Sequence, residues 1–219
     1  MTPAFNAGVG PDQEWTATRW SLIRRLKEGR DQQAWQEFYD AYGRLIHSVA
    51  RQSGLSPHEA EEAVQETVTA VFKNLPGFQA DPRVGSFKSW LLHLARWRIA
   101  DQFQKRSWSA RPPGEEGFHD LAKEAKPDLE HLVAPGTPPL EEIWEVEWKR
   151  TVLELALEQL KTRVQPRHFQ VFYLHVIKGQ STGAVAQALG VSQGHVYLVK
   201  CRLLPVFKRL VKELEARPL

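Results

Sequence analysis

Nine basic side chains (Lys161, Arg163, Arg167, Lys178, Lys200, Arg202, Lys208, Arg209 and Lys212) occur between positions 161 and 212, with no Asp or Glu among them. That is a local charge of +9 in a chain of 219 residues whose formal balance is only +3. A surface folded for its own sake carries mixed signs, whereas an all-positive one is an electrostatic footprint for phosphates. A second basic stretch runs from Arg83 to Arg111. Its seven cations, with Lys88, Arg96, Arg98, Lys105 and Arg106 at the centre, oppose Asp101 alone, a net +6. Trp90 and Trp97 are interleaved with them, beside His93 and Gln104. Basic groups among aromatics suit single-stranded or distorted nucleic acid, because flat rings accept unstacked bases. Core packing is the competing reading for both tryptophans, favoured at Trp90 and evenly balanced at Trp97. Between the two basic stretches the sign reverses: Glu115 to Glu147 holds ten acids against two lysines, a net of −8.

Other chemistry is poorly supplied. A single cysteine, Cys201, excludes an internal disulfide and a thiolate metal cluster within one chain. The eight histidines follow no metal-ligand spacing. No P-loop, GxGxxG, GxSxG or HExxH is present, and Asp101 alone cannot supply a two-metal site within a basic surface. The expectation is a protein without catalytic residues, metal or cofactor. Hydrophobic content of 42% fits globular domains, and no apolar run predicts a membrane span or secretory leader, so a cytoplasmic location is expected.

The elements that position these groups are helical. In "GQSTGAVAQALGVSQGHVYLVKCRLL", Val185, Ala186 and Leu189 give a small apolar face to one helix. Gly190 supplies a position where positive φ is free of a Cβ clash, and Ser192 is the natural N-cap of the next helix. Val196 and Val199 turn inward, leaving Gln193, His195, Tyr197, Leu198 and Lys200 exposed. This is the helix-turn-helix pattern, whose second helix enters the major groove; an ordinary helical hairpin is the alternative that the charge map disfavours. Upstream, Trp20–Lys27 and Gln32–Ser53 carry apolar residues at helical spacing. "SPHEAEEAVQETVTAVFKNLPGF" opens with a capping box of Ser56 and Glu59 around Pro57. Its buried stripe is read as Ala60, Val64, Val68 or Val71, Phe72 and Leu75, and its other face as Glu61, Glu62, Gln65, Glu66 and Thr69. "FKSWLLHLARWRIADQFQKR" places Leu91, Leu92, Ala95, Ile99 and Phe103 on one face. Helix resumes near Leu140 and runs to about Leu160, and another is read over Arg167–Lys178. The organisation is all-α: a leader over 1–17, a helical domain over 18–107, an acidic Pro/Gly-containing linker over 108–139, and a helix-turn-helix domain over 140–219.

This arrangement resembles a bacterial RNA polymerase sigma factor of the small extracytoplasmic-function group of the sigma-70 family. The resemblance spans about Thr18–Arg106 and Leu140–Leu214 and rests on "AEEAVQETVTAVFKNLPGF", "SFKSWLLHLARWRIADQFQKR" and the helix-turn-helix. It implies a transcription initiation factor whose partners are promoter DNA and core RNA polymerase, through the clamp of β′ and the flap of β. Glu61, Glu62, Gln65, Glu66 and Thr69 would then meet the polymerase. Lys88, Arg96, Trp97, Arg98, Gln104, Lys105 and Arg106 would read and open the minus-ten element around the loop Gln79–Ser86, where a flipped base could be held. Ser192, Gln193, His195, Tyr197, Leu198, Lys200 and Arg202 would read the minus-thirty-five element, with Lys178, Lys208 and Arg209 on phosphates. Arg202 is the candidate for bidentate contact to guanine. An inhibitory anti-sigma factor is common among such proteins. Trp97 stands where the family usually has Asn, and Gly194–Val199 departs from the usual Gly-Thr-Val-Lys-Ser-Arg. The alternative function is a stand-alone helix-turn-helix regulator, which leaves the first basic stretch and the acidic helix face unexplained.

Overall fold

Helix starts follow the polar residues that precede them. Asp31 accepts the Ala34 amide at 2.9 Å and caps the second helix. Ser56 and Glu59 exchange bonds at 2.7 and 3.3 Å, the expected capping box, and Ser181 and Ser192 cap the last two helices. A computed structural model describes residues 17–28, 31–78, 86–109 and 136–216. The leader over 1–16, most of the acidic linker and positions 79–85 of the expected base-capturing loop lie outside the described residues. Every regular element among the described residues is helical. They are α1 (Ala17–Lys27), α2 (Gln32–Gln52), α3 (Pro57–Asn74), α4 (Phe87–Ser109), α5 (Leu140–Arg163), α6 (Pro166–Phe172), α7 (Thr182–Leu189) and α8 (Gln193–Ala216). None is long and apolar enough to cross a membrane. The helices form two packing units, divided between Glu147 and Trp148.

In the first unit, α3 packs against α2 and α4. Phe38, Tyr42, Leu45, Ile46 and Val49 of α2 are buried with Ala60, Val64 and Val71 of α3 and Phe87, Leu91, Ala95 and Ile99 of α4. An aromatic chain runs through this core: Phe38 lies 4.9 Å from Tyr42, which lies 5.5 Å from Phe87. Each such ring removed from water stabilises the fold by roughly 1.5–3 kcal/mol. Trp90 extends the chain, 4.7 Å from Phe78 and 5.6 Å from Phe87, so its ring packs. Phe72 corrects the expected stripe of α3. It is 55% exposed, because Val71 one residue earlier already faces inward and the helix carries Phe72 round to the Trp35 side, with centroids 5.2 Å apart.

The second unit takes Trp148, Val152, Ala156 and Leu160 from α5, at four-residue spacing, together with Val171 and Phe172 of α6. Val185 and Ala186 of α7 and Val196, Val199, Phe207, Leu210 and Leu214 of α8 complete the core. The helix expected over Arg167–Lys178 is α-helical only to Phe172 and then widens into a π turn over Tyr173–Ile177. The Lys178 amide donates to the Tyr173 carbonyl, five residues back, at 2.9 Å. α8 continues through Pro205, well past Leu204.

Candidate nucleic-acid interface

The turn between α7 and α8 is built from backbone requirements first. Gly190 adopts φ 60 and ψ 44, left-handed values that stop α7. The Val191 amide then returns to the Ala186 carbonyl at 3.0 Å. The Ser192 hydroxyl accepts the His195 amide at 3.1 Å, satisfying one of the four orphan donors at the start of α8. Val185 and Ala186 meet Val196 and Val199 inside, so register follows from side chains too small to hold the helices apart. Sequence reading missed a further fastener. Arg167 Nη2 donates to the Leu189 carbonyl at 2.9 Å and the Gly190 carbonyl at 3.4 Å, tying α6 to the turn. The only signal was an arginine just after the Pro166 that opens α6.

Seven residues were expected on the reading face of α8. Ser192 is spent on the cap but remains exposed, and Gln193 and Arg202 are exposed. Tyr197 and Leu198 are 63% and 56% exposed, high values for large side chains. His195 and Lys200 are half-buried. The His195 ring lies 5.5 Å from that of His168, and both line a cleft of about 90 Å³ with Leu198 and Arg202. The Cys201 thiol beside the Tyr197 hydroxyl raises the phenol above its usual range. Lys208 and Arg209 are exposed further along α8, and Lys178 lies 5.5 Å from the Tyr173 ring centroid, outside the hairpin. One helix thus presents polar and apolar groups flanked by cations, a combination able to grip phosphates and probe base edges.

The first unit places its cations differently. Each of the five basic side chains of α4 ends on a carboxylate. Lys88 lies 2.5 Å from Glu145, Arg96 2.5 Å from Glu141, Arg98 2.9 Å from Asp101 and Lys105 2.7 Å from Glu66. Arg106 Nε donates to Glu59 at 2.7 Å, and its Nη2 also reaches that carboxylate. The Arg106 guanidinium holds the Glu59 carboxyl down at about 2, with the Ser56 cap assisting. Trp97 is half-buried, its ring 6.2 Å from that of His93, and Gln104 is half-buried on the same helix.

The five α3 residues read as one face divide into two rows. Glu62 and Glu66 turn toward α4. With its side-chain amide turned so that both ends are satisfied, buried Gln102 donates to Glu62 at 3.0 Å and accepts from Lys105 at 3.1 Å. Glu61, Gln65 and Thr69 form an exposed row, and Phe72 continues it. The Tyr39 hydroxyl donates to Glu61 at 3.0 Å, and Thr69 donates back to the Gln65 carbonyl at 2.8 Å. Phe72 could have been found from spacing: it lies eleven residues, close to three turns, beyond Glu61.

Residues 38–109, from α2 to the end of α4, match the Sigma-70 region 2 family. Over 87 residues the chain is 34% identical to the ECF RNA polymerase sigma factor SigK of Mycolicibacterium vanbaalenii, covering 40% of this chain and 43% of that protein. It is 39% identical over 87 residues to SigK of Mycobacterium tuberculosis, covering 37% and 42%. The chain thus spans less than half the length of the curated relatives it matches. A solved structure of CnrH in complex with the cytosolic domain of CnrY aligns over 88% of this chain and 96% of that one, at 20% identity and a TM-score of 0.33. Region 2 of the sigma-70 family is thus matched by the helices that carry the first basic surface, and the curated proteins that align with this part of the chain are ECF RNA polymerase sigma factors.

Proposed function

We propose that this protein is a transcription initiation factor, acting by binding rather than catalysis, that joins core RNA polymerase and directs it to promoters. The observation that carries the proposal is the pairing of a region 2 domain with a separate helix-turn-helix unit whose sequence from 161 to 212 holds cations and no acid. A stand-alone regulator needs only the second.

In this reading the exposed row Glu61, Gln65, Thr69 and Phe72 meets the polymerase clamp, with Glu62 and Glu66 behind it. Charged and polar groups around an exposed aromatic ring suit a protein partner better than DNA. The cations of α4, with Trp97 and Gln104, hold the minus-ten strand, and α8 reads the minus-thirty-five element through Tyr197, Leu198, Lys200 and Arg202. Lys178, Lys208 and Arg209 take phosphates. Neither unit need bind tightly by itself, because two weak sites carried by one polymerase act at high effective concentration.

The test is co-elution of the full chain with bacterial core RNA polymerase, alongside Glu61→Ala/Gln65→Ala/Phe72→Ala. Stoichiometric binding that drops at least ~10-fold in the variant is expected, since exposed hot-spot residues carry about 1–2 kcal/mol each. Absence of binding, with duplex affinity intact, would return the protein to the class of helix-turn-helix regulators.

A further inference from the structure

Lys88 and Arg96 stand eight residues apart on α4, and one acidic stretch holds both. Lys88 Nζ lies 2.5 Å from Glu145 Oε1, and Arg96 Nη1 lies 2.5 Å from Glu141 Oε1. The two carboxylates are four residues apart on α5, so they share one helix face. The pairing is antiparallel, the earlier acid taking the later cation. Beside them Leu140, Ile143 and Trp144 are 7%, 4% and 0% exposed, and Glu147, itself 8% exposed, accepts from Gln52 at 2.7 Å. All these residues belong to the first packing unit. Apolar anchors that bring two carboxylates onto an ammonium and a guanidinium reproduce what two phosphates of a strand would offer the same groups.

We infer that Leu140–Glu147 is an internal strap that occupies the cations of α4 and must leave them before a nucleic-acid strand can bind there. The inference rests on the proposed reading of α4 as a DNA surface. The acids on the remaining α4 cations cannot depart: Asp101 is on α4 itself, and Glu59 and Glu66 are on α3, packed against α4 in the core. Glu141 and Glu145 belong to α5, whereas α3 packs against α2 and α4, so these three helices keep their packing on one another when the strap moves. Both pairs are partly exposed, with side chains between 27% and 52% accessible, so each is easily exchanged for a phosphate. Strap and strand compete for one pair of cations, and whatever favours one displaces the other by the same factor.

The experiment titrates the full chain, free of polymerase, with a fluorescently labelled mixed-sequence single-stranded oligodeoxynucleotide. A Lys200→Gln/Arg202→Gln background keeps α8 from dominating the signal. Glu141→Gln/Glu145→Gln is expected to tighten binding by about 3- to 10-fold, the range two exposed ion pairs allow. Glu142→Gln/Glu154→Gln makes the same charge change on the same helix and is expected to tighten it far less. Backbone amides of 140–147 should lose hydrogen-exchange protection when the oligonucleotide is added. Equal tightening by the two double variants, or unchanged protection, overturns the strap. Lys88→Gln/Arg96→Gln separates the two levels. If it binds as well as the background, the DNA reading of α4 falls; if it weakens binding while Glu141→Gln/Glu145→Gln gains nothing over the control, the strap alone falls.

Discussion

The cations of α4 and three of those on α8 stand in opposite conditions. On α4, Lys88, Arg96, Arg98, Lys105 and Arg106 all end on carboxylates. On α8, Lys200, Arg202 and Lys208 form no ion pair among the described residues. The cause is the placement of acids: residues 161 to 212 contain none, whereas α4 lies along Glu59 and Glu66 of α3 and meets Glu141 and Glu145. A cation without a partner gains a phosphate outright. One already paired only exchanges acceptors, so its net gain is small. On the proposed reading, the second unit therefore finds duplex by itself. On the same reading, the first acts late, when a partner has already brought the strand close.

The largest effect that could break this contrast is on duplex affinity. Lys200→Gln/Arg202→Gln/Lys208→Gln should weaken binding of the full chain to duplex DNA by on the order of 100-fold at low salt. It should also lower the slope of log K against log salt by ~0.9 for each phosphate that is no longer neutralised. Lys88→Gln/Arg96→Gln/Lys105→Gln should change both quantities much less. Comparable losses in the two triple variants, measured by fluorescence anisotropy across a salt series, would mean that the ion pairs on α4 are too weak to matter and the contrast is false.

A smaller effect sharpens the same comparison from the α8 side. Arg167 holds the helix-turn-helix turn through two carbonyls, and bonds from a charged donor contribute more than neutral ones. Arg167→Ala should lower the stability of the second unit by about 1 kcal/mol, given that the guanidinium is exposed. Duplex affinity should fall several-fold as the turn loosens, with Arg167→Lys recovering part of the loss. Single-stranded binding through α4 should not move. Thermal unfolding and duplex titration of the two variants check this, and a variant that keeps its stability while losing affinity would make Arg167 a DNA contact instead.

The contrast also marks what the sequence could disclose. The turn between α7 and α8 was legible because its information is local: Gly190, Ser192 and the small side chains Val185, Ala186, Val196 and Val199 lie within fifteen positions. The capping box at Ser56 and the stop at Leu75–Gly77 were readable for the same reason. Phe72 was misplaced because two adjacent apolar residues compete for one inward direction, and a stripe at alternating spacings of three and four accepts either. Apart from Arg98, whose Asp101 lies one turn on, the condition of the α4 cations was not legible. The acids of the other four lie 39, 45, 47 and 57 positions away in sequence, and a charge count over a window records +6 whether or not the charges are met. The separation of the α3 acids into a row facing α4 and an exposed row has the same origin, since periodicity gives a helix its faces without saying which neighbour each will find.

The smallest expected effect concerns pH and tests one α4 pair directly. Glu59 serves as both the N3 partner of the Ser56 cap and the acceptor for Arg106. The guanidinium holds its carboxyl at about 2 in the folded chain, against an ordinary value of 4.5. A folded-state pKa below the unfolded one means that the contribution of the pair is complete above about 4.5 and is lost as pH falls toward 2. Because the pair lies near the surface, screening keeps that contribution to at most ~1 kcal/mol, or roughly 4 °C in the melting temperature of a domain this size. Glu59→Gln should therefore melt a few degrees below the parent at neutral pH and converge with it as the medium is acidified below the ordinary carboxylate range. A gap that persists at low pH would assign the loss to the capping box, which a neutral amide serves less well at any pH. A gap that closes would show that the cations of α4 hold their acids in solution, the property that distinguishes them from Lys200, Arg202 and Lys208 of α8.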